Sequence, residues 1–183
     1  MPLPPVVDRV PLHRRVIDCR GYRRADGRFD VEAHLVDTKH YTVANRWRGP
    51  LAPATPIHDM YLRLTIDPDL TIHDAAASTD GSPYAVCGDI TPAFAALKGL
   101  KIGPGFTRAV RQRLGGVHGC THLVELLGPL ATTALQTILP LRRRHIPDEP
   151  DRQPPRHLDT CHALRRDGPV VREHHPAWYT GKP

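Results

Sequence analysis

The stretch RFDVEAHLVDT, residues 28 to 38, decides how the fold is read. Phe29, Val31, Ala33 and Leu35 alternate with Asp30, Glu32 and His34. A period of two puts one face of an extended strand in a core and the other in water. Just before it, RADG at 24–27 ends in Asp26-Gly27, a hairpin turn signal because such turns need a residue with positive φ. HRRVIDCRGYR at 13–23 is then the antiparallel partner. Further along, NRWRGPLAPATP at 45–56 is a proline-broken loop, and IHDMYLRLTID at 57–67 alternates again with Met60, Leu62, Leu64 and Ile66 on one side. After a turn at PDL, LTIHDAAAS at 70–78 reads as a weaker strand, which makes four antiparallel strands.

The pattern changes after DGSPYAVC. ITPAFAAL at 90–97 has helical character with Pro92 in its first turn, and TRAVRQRL at 107–114 is a second helix between GPGF and Gly115-Gly116. From Thr121 onward Leu123, Leu126, Leu127, Leu130, Ala134, Leu135 and Ile138 recur at helical spacing, marking the most buried helix. Pro129 within it removes a backbone donor and should kink or split it. Strands first and helices after define an α+β class, an antiparallel sheet packed by C-terminal helices. The expected layout is one domain over 1–142, with its core at 57–139 and the hairpin as an N-terminal extension. A Pro/Arg-rich linker at 143–157 follows, then a tail at 158–183 whose Asp167-Gly168 turn suggests a hairpin folded back on the domain.

With 183 residues, 40% of them hydrophobic, the chain can bury a sizeable core. It holds no window of roughly 20 continuous apolar residues, which argues against a membrane span. The start, MPLPPVVDRVPLHRRV, lacks a basic segment followed by an apolar run, so a cytoplasmic location is expected. The four cysteines, Cys19, Cys87, Cys120 and Cys161, are then reduced thiols available for metal binding, catalysis or burial. The net charge of +6 is uneven, and its basic runs LRRRH at 141–145 and RHLDTCHALRR at 156–166 have no aromatic residues interleaved, which disfavours nucleic acid as a partner and leaves another protein as the expected one. KGLKIGPGF matches no phosphate-binding glycine loop.

Three element boundaries carry residues suited to chemistry. PIHDMYL puts His58 and Asp59 at a strand start, SPYAVCGD puts Cys87 between sheet and helix, and GCTH puts Cys120 and His122 at the head of the long helix. A helix amino terminus favours thiolate, the form that binds metal. Two cysteines, an aspartate and histidines suit zinc or an iron–sulfur cluster, although the ligands span more than sixty residues and form no compact knuckle. The same residues admit plainer roles: Cys87 and Cys120 as buried thiols, His58 and Asp59 as strand-end polar groups, His122 as a surface histidine. A cysteine-dependent enzyme is a second reading, with Cys120 as nucleophile, His122 or His58 as base and Asp59 as orienter. A metal-free interaction module is a third.

The strings YRRADGRFDVEAHLVDTK, PIHDMYLRLTID, GSPYAVC, LKGLKIGPGF, GCTHLVELLGPLATTALQ and DTCHAL, in this order, resemble an uncharacterised bacterial domain-of-unknown-function family over nearly the whole chain. A more distant resemblance, over 57–139, is to the iron–sulfur cluster scaffold proteins of the NifU/IscU type. There His58-Asp59 stands where those proteins carry Cys-Gly-Asp, Cys87 matches the second cysteine, Lys98-Gly99 a helix end and Cys120 the last cysteine. The first cysteine is missing here, and no glycine precedes Cys87. This second resemblance implies that Asp59, Cys87 and Cys120 converge at one end of the sheet, with His58 or His122 as a fourth ligand. The function it implies is that of a carrier, scaffold or accessory factor for zinc or an iron–sulfur cluster. Cys161 and His162 in DTCH would complete or cover that site if the tail folds back.

Overall fold

The computed structural model describes residues 7–142, 153–155 and 157–181. Four strands, β1 (His13–Arg23), β2 (Phe29–Lys39), β3 (Pro56–Ile66) and β4 (Ile72–Gly81), form an antiparallel meander in chain order. The β1–β2 turn forms as its sequence predicts. Gly27 takes φ +82°, Arg24 N donates to Arg28 O at 2.9 Å, and the Asp26 carboxylate accepts from the Arg24 side chain. Along β2 burial alternates strictly, and Phe29, Val31, Ala33 and Leu35 face inward with Met60, Leu62, Leu64 and Ile66 of β3. Each fully buried side chain of this kind contributes about 1.5–3 kcal/mol relative to exposure.

Residues 85–97 wind as a 3-10 helix rather than the α-helix predicted over 90–97, and the turn begins earlier, taking in Cys87. Pro92 removes a donor that an α-helix would use, and the buried Phe94 and Leu97 stand three apart, the spacing that a 3-10 helix aligns. The turns that follow place Leu100 and Ile102 beside the start of β4, where Ile72 N donates to Leu100 O and Ile102 N to Leu70 O. Helix α1 (Phe106–Leu114) starts after Gly105, which takes φ +86°, and buries Phe106, Val110 and Leu114.

The long apolar helix comes in two pieces, α2 (Thr121–Glu125) and α3 (Leu127–Arg142), broken at Leu126. Pro129 has no N–H to give the carbonyl of Glu125, which accounts for the split. Leu123, Leu126, Leu127, Leu130, Ala134 and Ile138 all enter the core, and Leu135 packs against its margin. By length and composition alone the stretch 121–141 would be sufficient to cross a membrane, yet these side chains lie against the sheet's core.

A second unit begins at residue 142. Most of the expected linker, residues 143–152 and 156, lies outside the described residues. The tail is not the expected hairpin: Asp167-Gly168 leads into helix α4 (Pro169–His174), flanked by 3-10 turns at His162–Leu164 and Pro176–Trp178. Pro169 at the first helical position has its φ preset for a helix and needs no backbone donor there, and no period-two apolar pattern competes for the segment. Within this unit Leu158 and Val171 are buried.

Candidate functional site

The inward stripe of β2 does not stop at Leu35. The next inward position is Asp37, only 1% exposed and, with Thr65, a buried polar residue among those described. The register places it directly opposite Arg15 on β1 and His58 on β3, so Arg15, Asp37 and His58 form one cross-strand row at the end of the apolar face. A bulge between Asp37 and Thr38 ends the regular pairing beside this row. An aspartate enclosed this way must be compensated, because burying an unpaired charge is costly.

Compensation is complete. Arg15 Nε donates to Asp37 Oδ1 at 2.8 Å and Arg15 Nη2 to Oδ2 at 2.7 Å, a fork matched to a carboxylate. His58 Nδ1 lies 2.9 Å from Oδ2, and His13 Nε2 from β1 stands 3.3 Å from Oδ1. With Nδ1–H donating to Asp37, His58 keeps Nε2 as a lone-pair acceptor.

Helix α2 supplies the rest. Gly119 allows its entry, since a Cβ there would collide with the Leu114 carbonyl, and Val124 N donates to Cys120 O at 2.8 Å to close the first turn. His122 and Glu125, three residues apart, share one helical face. The His122 ring lies over that of His58, with centroids 3.8 Å apart and planes tilted by 32°. Glu125 Oε2 accepts from Arg15 Nη1 at 2.6 Å, tying the helix back to β1. Donor atoms of Asp37, His58 and His122 all fall within 4.8 Å of one another.

The ionisation states follow from these neighbours. Burial penalises the Asp37 carboxylate, but hydrogen bonds from Arg15 and His58, with the positive charge of Arg15, more than offset it and hold its pKa below the usual carboxylate range. Burial, then the proximity of His122, lowers the pKa of His58 against the pull of Asp37. Burial and the charge of Arg15 likewise lower that of His122. Near neutral pH the group of Asp37, His58 and His122 therefore holds an anionic carboxylate and two neutral imidazoles, the protonation states in which these groups bind a metal.

Of the residues singled out from sequence, His58 and His122 meet. Asp59 follows His58 in β3 and so projects from the opposite face of the sheet, where His34 Nε2 approaches its Oδ1 at 2.7 Å and the His34 ring stacks on Tyr61 with centroids 4.0 Å apart. The carboxylate that orients His58 is thus Asp37, not its chain neighbour. Cys87 is half-buried in the 3-10 segment, and Cys120 precedes α2 and packs against the core; neither belongs to the group of three donors. Cys161 is exposed in the C-terminal unit, beside His162. Asp37 and Arg15 went unnoticed in the sequence. A signal for Asp37 was present, since it is a charged residue exactly in phase with Phe29, Val31, Ala33 and Leu35, whereas Arg15 gains meaning only through the register.

These features define an α+β protein whose four-stranded antiparallel sheet carries helices on one face and an Asp-His-His cluster at the sheet's end. The chain belongs to the family described as Protein of unknown function (DUF2889), whose model matches residues 13–136. No curated protein and no solved structure matches the chain.

Proposed function

We propose that this protein binds a divalent transition-metal ion through His58, His122 and Asp37, and that it acts as a metal carrier or accessory factor for a partner protein. The observation that carries the reading is the convergence of three donors of the right chemistry from β2, β3 and α2 within 4.8 Å. Two imidazole nitrogens and a carboxylate oxygen suit zinc or ferrous iron, and three protein ligands leave a coordination position for water or an exchanging ligand. Asp37 can serve in either of two ways, as a direct ligand or by fixing the tautomer of His58 from behind. The partial exposure of His58 and His122 favours an ion that exchanges over a sealed structural one.

An iron–sulfur scaffold of the NifU/IscU kind has less support, because such clusters are held chiefly by thiolates and these donors are not. The thiol-enzyme reading is weakened in the same way, since its orienting Asp59 bonds His34.

Titration of chelator-treated protein with Co(II) tests the proposal. One equivalent per chain should bind with visible d–d absorption, His58→Ala and His122→Ala should each lose it, and a Cys87→Ser/Cys120→Ser double variant should keep it. Absence of stoichiometric binding by folded protein overturns the reading, and loss of binding in the cysteine double variant would restore the thiolate alternative.

A further inference from the structure

Arg15 has two carboxylate partners on two different elements. Its fork covers both oxygens of the buried Asp37 while its remaining nitrogen, Nη1, holds the exposed Glu125. A metal cation drawn to His58 and His122 meets a carboxylate whose oxygens already accept from Arg15, His58 and His13. The guanidinium also sets a positive charge beside the ion's position. Cation and guanidinium cannot both hold Asp37 in full. Yet Arg15 need not be stranded, because its side chain is 30% exposed and already donates through Nη1 to Glu125, whose side chain is 51% exposed.

We propose that Arg15 is a built-in competitor of the metal, released from Asp37 and received by Glu125 when the ion binds. This rests on the reading of Asp37, His58 and His122 as the metal site and adds its regulation. Arg15 sets the affinity low enough for exchange, and Glu125 on α2 gives the departing guanidinium a partner. Because Glu125 and His122 share a helical face, the handover pulls β1 and α2 together as His122 is engaged.

The test is a set of Zn(II) titrations by calorimetry, with Co(II) absorption as the second readout, on the full chain. Arg15→Met, which keeps an apolar stem without the charge, should bind at least tenfold more tightly than the wild type. Glu125→Gln, an exposed and structurally mild change, should bind several-fold more weakly. In the Arg15→Met background Glu125→Gln should have no further effect. Arg15→Gln, which retains hydrogen bonding to Asp37, serves in place of Arg15→Met should the latter not melt cooperatively. Equal or weaker binding by the Arg15 variants overturns the handover and leaves the site standing. A Glu125→Gln effect that persists without Arg15 also overturns it, since Glu125 would then act on the ion directly. If neither wild type nor Arg15 variants bind, while all are folded, the metal reading itself falls and the handover with it.

Discussion

Replacing Arg15 by Met removes the cation that balances a carboxylate buried to 1% exposure. Two charge-assisted hydrogen bonds to Asp37, at 2.8 and 2.7 Å, disappear together with one to Glu125. The Glu125 contact contributes little, because that carboxylate is half exposed and regains water. For Asp37, breaking a buried pair from one side costs about 3–5 kcal/mol. Here the lower end applies, about 3 kcal/mol, since Arg15 is itself partly hydrated and His58 and His13 still face the carboxylate. For a chain of this length that corresponds to a fall in Tm of roughly 6–12 °C.

The loss should depend on pH. Asp37 has a depressed pKa in the folded protein, so its pairing stabilises above the unfolded carboxylate pKa of about 3.9 and is lost as pH falls through the folded value. The gap between wild type and Arg15→Met should therefore be full at pH 7 and close below about pH 4. Saturating metal should also narrow it, by about 1.4 kcal/mol for a variant that binds tenfold more tightly, since ligand stabilisation grows as RT ln(1 + [L]/Kd) for each protein. Urea unfolding followed by circular dichroism, at several pH values with and without Zn(II), measures all three effects. A loss under about 1 kcal/mol at pH 7, or an equal loss at pH 3, would refute the claim that Arg15 compensates a buried charge.

Three further outcomes follow from the same geometry. His58 and His122 have lowered folded pKa values, so the unfolded chain takes up protons first; stability should decline as pH drops below about 6.5, and a His58→Gln/His122→Gln variant should show a flatter profile in urea midpoints. Leu126→Ala, at a fully buried position between α2 and α3, should cost about 2–5 kcal/mol in the same assay, and a value near zero would mean that the break between the helices lies outside the core. Gly21 lies where a Cβ would collide with the Thr137 side chain, so Gly21→Ala should destabilise by about 1–3 kcal/mol and Thr137→Ala should recover most of it; equal destabilisation in both backgrounds would show that α3 does not approach β1 this closely.

The strands were readable because period-two alternation is a local property: Phe29 to Leu35 and Met60 to Ile66 declare their inward face whatever surrounds them. The split of the long helix was readable for a similar reason, since Pro129 lacks its donor in any context. The 3-10 winding of residues 85–97 was harder to see, because the spacings of Phe94 and Leu97 fit both helix types over so short a run. For the C-terminal segment the Asp167-Gly168 signal was real as a turn, and Pro169 decided that a helix follows it.

Sequence alone determined the four strands, the inward faces of β2 and β3 and two of the three clustered donors, because each follows from alternation, turn chemistry or residue type within a few positions. Only the tertiary structure decided which groups meet. Cross-strand register set Arg15, Asp37 and His58 in one row, and the entry of α2 past Gly119 laid His122 over His58. Asp59, adjacent to His58 in the chain, was carried to the other face by the pleat that makes the strand. Proximity along the chain and proximity in space are opposed at that step, because successive residues of a strand point to opposite sides while residues twenty apart on neighbouring strands lie side by side.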